Sequence, residues 1–238
     1  MTGDVDSPFW WSTSTGDVRV AFTSVSAGNL SRNHGQSAVE NRRSLEQQIG
    51  AAPGSLRFLH QTHSDTIADA DSATATPRAD GWVSQGGSPL AVLVADCLPV
   101  LFAATTAQGR LVTAAAHAGR AGLLAGVLSN AVEAMRSRGA EQITAWIGPG
   151  ACGSCYELPQ EMVQRLTADR PAMRSTTSWG TAALNLRAEA AQILQNLRVA
   201  VVDVPGCTIE DPRLFSHRRS QRTGEPEARS AGLILATR

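Results

Sequence analysis

The chain predicts an α+β fold (mixed α/β) formed as one domain, and three observations carry that expectation. Short apolar runs of strand length recur along it, at Leu56 to His60, Ala91 to Ala95, Pro99 to Ala103, Leu111 to Ala116 and Ile143 to Ile147. Longer stretches with helical patterning lie among them, and the two kinds do not alternate regularly as β-α-β units would. At 238 residues, 42% of them apolar and 18% charged, the chain can also bury a substantial core.

Taken in order, residues 1–16 are rich in Ser, Thr, Gly and Trp and read as an irregular lead-in. A catalytic domain over residues 17–238 is expected to follow. Asp17 to Thr23 alternates as a half-buried strand does, and Gly28 to Gly35 has the composition of a loop. A helix is expected from Ser37, with Glu40 three residues on, to about Gly50. After the four apolar runs that end at Ala116, His117 leads into a helix from about Ala121 to Arg138. Two more helices fit Pro159 to Asp169 and Leu186 to Leu197, and strands fit Arg198 to Val204 and Ala231 to Ala236.

Composition narrows the function. The 21 basic and 21 acidic residues cancel, so no general field attracts nucleic acid or an anionic membrane. An anionic ligand must be held by a local site. No apolar run approaches the roughly 20 residues that cross a bilayer. The opening M-T-G-D-V-D-S-P-F-W-W lacks a basic then apolar segment, which suggests a cytoplasmic protein without a signal peptide. Disulfides are rare there, so Cys97, Cys152, Cys155 and Cys207 read as thiols or ligands. With His34, His60, His63, His117 and His217 they complete the inventory of soft ligands.

Several segments end an apolar run with a reactive group: H-Q-T-H-S (60–64), A-D-G-W-V (79–83), V-A-D-C-L-P-V (94–100) and A-H-A-G (116–119). His117 is the most isolated of these groups, a histidine among alanines and glycines. The spacing from His63 through Cys97 to His117 is too wide for a zinc finger. Three ligands from separate strand ends would leave a coordination position open, as catalytic zinc sites do. In H-Q-T-H at most one histidine is expected to enter a shared site, since in a strand the two would face opposite ways. Each residue also has an ordinary structural reading: Cys97 as a small core hydrophobe, His117 as hydrogen-bonded structure, Asp96 as a partner for a backbone amide. Cys152 and Cys155 form C-x-x-C after Gly-Pro-Gly, without a second such pair, and read as a tight turn. In L-F-S-H-R-R-S (214–220), Arg218 and Arg219 either clamp an anion or lie on a solvated loop.

In combination these segments resemble one family, the laccase-domain (polyphenol oxidase) proteins, regarded as zinc-dependent purine nucleoside phosphorylases. The ordered matches are Phe22-Thr23, Asn41-Arg42, Gln61-Thr62-His63, Ala79-Asp80-Gly81, Ala95 to Val100, His117-Ala118-Gly119, Ile147-Gly148-Pro149, Cys155-Tyr156-Glu157, Cys207-Thr208 and Phe215-Ser216 with Arg218-Arg219. The resemblance implies a layered fold of mixed sheets flanked by helices, with His63, Cys97 and His117 as zinc ligands. It implies phosphorolysis of adenosine, inosine, guanosine or methylthioadenosine to free base and ribose 1-phosphate, with some adenosine deamination. Asp80, Asp96 and Glu157 are then the candidates for proton and positioning work. Arg42, Arg218 and Arg219 are the candidates for phosphate, ahead of Arg120. Purine nucleosides and inorganic phosphate are the expected partners, Zn2+ rather than copper the cofactor, and a monomer the expected state.

Three departures stand out. The family's H-A-G-W-R-G reads His117-Ala118-Gly119-Arg120-Ala121-Gly122 here, an acidic residue before the late helix is Asn185, and the N-terminal loop is shortened to Ser24 through Leu30. The alternatives are a cysteine hydrolase with Cys97 as nucleophile and His117 as base, including an editing role on peptidoglycan precursors, and a zinc-stabilised fold without turnover. Copper oxidation ranks low, because five scattered histidines cannot furnish a multicopper cluster.

Overall fold

The computed structural model describes residues 7–32 and 37–237. The histidine at position 34, the end of the predicted 28–35 loop and the start of the predicted lead-in lie outside the described residues.

Two sheets form the centre. The smaller has strand order β1-β2-β12-β5, all antiparallel, from Phe9–Thr15, Val18–Thr23, Ser230–Ala236 and Leu90–Val94. The larger runs β11-β8-β6-β7-β4-β3, from Ala200–Asp203, Ala140–Ile147, Leu98–Thr106, Leu111–Ala118, Gly81–Ser84 and Ile67–Asp69. Its end pairs, β11 with β8 and β3 with β4, are parallel, and the rest are antiparallel. A two-stranded ribbon pairs β9 (Arg174–Thr176) with β10 (Ala182–Leu184).

Residue alternation decides which layer meets which. Val20, Phe22 and Ile234 of the small sheet meet Leu101, Ala115 and Trp146 of the large one. On the far face of the large sheet, Val100, Phe102, Ala114 and Ala116 pack against α3 (Val127–Arg136) and α5 (Leu186–Asn196). On the far face of the small sheet, Ala21, Ala91 and Leu233 receive Leu45 and Ile49 of α1 (Ser37–Ile49). The result is four layers, helix, sheet, sheet, helix, which agrees with the α+β expectation.

Three local expectations change. Phe9–Thr15 is a strand rather than part of an irregular lead-in; the adjoining strand Val18–Thr23 supplies the pairing partner its Ser/Thr-rich sequence did not advertise. The run from Leu56 to His60 makes only two isolated bridges, Arg57 to Leu90 and His60 to Arg78, and is otherwise loop. The helix expected from Ala121 to Arg138 is two helices, α2 (Arg120–Ala125) and α3, divided at Gly126 with φ 111°. Only glycine adopts that angle without strain. Among the described residues the other α-helices are α4 (Gln160–Thr167) and α6 (His217–Thr223), the latter in place of a basic loop and capped by the Ser216 side chain.

Candidate metal centre

The site grows from one buried carboxylate. Asp80 precedes β4 and has no solvent exposure. Its oxygens accept the backbone N–H groups of Thr62 (3.0 Å), His63 (3.0 Å) and Ser64 (2.6 Å) and the Ser64 hydroxyl (2.7 Å). Oδ1 also meets His117 Nδ1 at 2.8 Å. Burial opposes the charge, but the bonds from His117 and Ser64 outweigh it and hold the carboxyl well below the usual range.

That anchor fixes two histidines at once. His63 takes φ 60° in the loop that Asp80 gathers, which turns its ring toward β7. His117, near the end of β7, shares the inter-sheet parity of Ala115 and is 4% exposed. With Nδ1 on Asp80, its Nε2 is left for the cluster. The two rings meet edge to face with centroids 4.8 Å apart. Cys97, between β5 and β6, places Sγ 3.7 Å from His63 Nε2. Ligand atoms of His63, Cys97 and His117 all lie within 4.8 Å of one another. His60 stays outside, beside Arg78.

The glycines of H-A-G-R-A-G explain the approach. A Cβ on Gly119 would lie 2.6 Å from the His63 ring and 2.9 Å from Cys97 Sγ. One on Gly122 would lie 2.7 Å from the Ser64 carbonyl oxygen. Charge is arranged as well. Burial raises the Cys97 thiol and lowers His117, yet each offsets the other's penalty. Without metal, Cys97 is drawn down to about 6, and His117, helped by Asp80, is raised to about 9. One thiol and two imidazole nitrogens from three chain segments, with one imidazole oriented by a carboxylate, fit a zinc ion with an open position.

The other sequence-predicted residues divide. Asp96, at φ 86°, accepts the Thr208 hydroxyl (2.7 Å) and the Arg218 N–H (2.6 Å), so it ties the late loops to Cys97. Arg218 bonds the Glu157 carbonyl (3.0 Å) and lies over the Tyr156 ring. Glu157 and Arg218 both line a cavity of about 560 Å³, with Leu158 and Thr181. Arg219 has a different place: its guanidinium is spent on the carbonyls of Thr208, Ile209, Asp211 and Leu214. Arg42 stacks on Phe58 at 3.7 Å and bonds the Leu30 carbonyl, while Asn41 bonds that of Asn29. That pair clamps the short N-terminal loop. Asn185, where an acidic residue was expected, caps α5 through Ala188 N–H.

Sequence reasoning gave Tyr156 no role and ranked Arg120 behind the other arginines. Burial raises the Tyr156 hydroxyl, which also feels the charges of Arg120, Cys97, Arg218 and Asp96. Arg120 stands at the start of α2 with Nη1 3.3 Å from the Met162 sulfur. The signal was present in the C-Y-E motif but carried no chemistry of its own. A second group, Cys152, Cys155, Cys207 and Glu210, also places its ligand atoms within 4.8 Å of one another.

A family profile described as multi-copper polyphenol oxidoreductase laccase matches residues 9–236. A purine nucleoside phosphorylase of Streptomyces coelicolor is 41% identical over 191 residues, covering 77% of this chain and 78% of that one. One from Corynebacterium glutamicum is 37% identical over 221 residues, covering 90% and 87%. Among solved structures, a Neisseria meningitidis protein superposes with a TM-score of 0.81 at 29% identity, covering 97% of this chain and 99% of its own.

Proposed function

This chain belongs to the multi-copper polyphenol oxidoreductase laccase family, and from that premise we propose that it is a zinc-dependent purine nucleoside phosphorylase. Residues 9–236, the span of the family match, act as one catalytic unit on adenosine, inosine, guanosine or methylthioadenosine. The products are the free base and the corresponding ribose 1-phosphate. The observation that carries the reading is the His63–Cys97–His117 cluster, anchored through Asp80, in a chain whose relatives are named purine nucleoside phosphorylases. Free nucleosides and phosphate are cytoplasmic solutes, and the cytoplasm is where a monomer of this chain meets them. No described helix is long and apolar enough to cross a membrane.

Zinc in this cluster would supply a Lewis acid for a phosphate oxygen. Asp80 holds His117 in the tautomer whose Nε2 faces the cluster, and its saturated, buried oxygens make it a positioning residue. Asp96 positions Cys97 and Arg218 in the same way. Arg218, over the Tyr156 ring, and Arg120 bring positive charge to the phosphate. A phosphate oxygen then forms the bond to C1′ as the C1′–N9 bond breaks, and its electrons leave with the base. Glu157, in the cavity beside Arg218, is the residue suited to deliver a proton to the departing purine. Deamination of adenosine at the same centre is the expected side activity.

The test is metal content together with phosphate-dependent base release from adenosine and inosine on one purified sample. Zinc with phosphate-dependent release is expected, and Cys97→Ala should lose at least 100-fold in release with its share of the metal. Ammonia release from adenosine is read in the same assay. Full phosphorolysis by Cys97→Ala would overturn the reading, as would copper in place of zinc. The Cys97–His117–Asp80 chain also has the geometry of a cysteine hydrolase relay. Turnover that survives chelation but not thiol alkylation would select it instead.

A further inference from the structure

Two tight turns meet behind the metal centre, and each offers a donor at its first and fourth residue. In one, the N–H groups of Cys155 and Tyr156 fold back on the Cys152 carbonyl at 3.0 and 2.9 Å. In the other, those of Glu210 and Asp211 fold back on the Cys207 carbonyl at 3.2 and 2.9 Å. A bridge between Gly150 and Cys207 sets the turns side by side. Cys152 Sγ then lies 3.9 Å from the Glu210 carboxylate, and all four donors fall within 4.8 Å of one another. None of the cysteines is in a disulfide. Paired turns, each giving ligands three positions apart, are how closed zinc sites are assembled.

We propose that Cys152, Cys155, Cys207 and Glu210 form a second, structural zinc site, separate from the His63–Cys97–His117 centre. Three soft thiolates with one carboxylate in a closed four-donor set favour zinc over hard cations. Binding releases the three thiol protons to solvent and leaves a net charge of −2 on the ion and its ligands. Arg219, whose guanidinium rests on the carbonyls of Thr208, Ile209 and Asp211, supplies opposing charge against the same turn. The site's role follows from its neighbours. Ala151 N–H bonds the Asp96 carbonyl (2.8 Å), and the Thr208 hydroxyl bonds the Asp96 carboxylate (2.7 Å). Clipping the two turns together therefore fixes the residue next to Cys97. The inference does not depend on the proposed activity.

The experiment counts zinc per chain by mass spectrometry on the purified full chain and on three variants. The unaltered chain should carry about two equivalents. Cys97→Ala should keep about one, and Cys152→Ser should keep the other. Glu210→Ala, an exposed and mild change, should weaken the second site at least tenfold in a chelator competition. Alkylation of Cys152 and Cys207 should be slow until chelator is added. One equivalent in the unaltered chain that Cys97→Ala abolishes would overturn the proposal. So would alkylation of Cys152 and Cys207 at equal rates with and without chelator, or a mass two hydrogens light that marks a disulfide.

Discussion

Asp80 organises the site, because one carboxylate orders both the His63 loop and the His117 ring. Asp80→Asn keeps the shape but puts an amide N–H where an acceptor is needed. Zinc affinity at the first centre should fall about 10- to 100-fold, measured by chelator competition. Because the Asp80 carboxyl is depressed, the stability it contributes is present above its ordinary value of 3.8 and is lost as pH falls below it. The metal-free chain should therefore lose more stability to acid than its Asp80→Asn variant, as followed by thermal unfolding from pH 5 to 3. Gly119 is the other decisive residue: in Gly119→Ala the new methyl collides with His63 and Cys97. That variant should fold and yet bind the first zinc at least tenfold more weakly. In the metal-free chain, His117 should make Cys97 alkylate with a midpoint near pH 6 rather than 9, read by mass spectrometry at that cysteine.

Elements set these residues at their distances. β7 carries His117 at one end of a ladder in which it stands opposite Pro99, two residues after Cys97. The pairing register thus brings the two ligands together although 20 positions separate them in the chain. α2 starts at Arg120 and is cut from α3 at Gly126, so the short helix can turn its arginine toward α4, where Met162 lies. Gly126→Ala has open space around the added methyl but must hold φ 111°. It should cost about 1–2 kcal/mol in denaturant unfolding, with zinc content retained. α6 brings Arg218 N–H to Asp96 and spends Arg219 on the neighbouring loop. Adjacent arginines of one motif therefore take different work.

At the scale of the molecule, the contact between the two sheets is one of its main buried apolar clusters. Phe22 is central to it: a Cβ on Gly148 would lie 2.2 Å from its ring, and one on Gly232 would lie 3.3 Å away. With Trp11, whose ring centroid lies 5.7 Å from that of Phe22, three chain segments lean on that one side chain. Phe22→Ala should cost about 3–5 kcal/mol in equilibrium unfolding, since a buried ring leaves a cavity that glycines on both sides cannot fill. Its zinc content, measured below the unfolding transition, should still match that of the unaltered chain, because Phe22 supplies no ligand.

Much of this was legible in the chain. Apolar periodicity placed most strands and helices to within a few residues, because burial on one face leaves a period in the sequence. The strand at Phe9–Thr15 left no such mark: its residues are half-buried or exposed, and its place comes from pairing with β2. The ordered motifs singled out His63, Cys97, His117 and Asp80, since chemistry restricts residue type wherever the fold puts it. Distance is not written in a linear sequence. Only the tertiary structure decided that Asp80 joins both histidines, that Arg219 and Arg42 hold loops, and that the Tyr156 hydroxyl feels both Arg120 and Cys97. It alone brought Cys207 and Glu210 against a C-x-x-C turn more than 50 residues earlier, because strand pairing and loop packing act between segments that composition and spacing treat as unrelated.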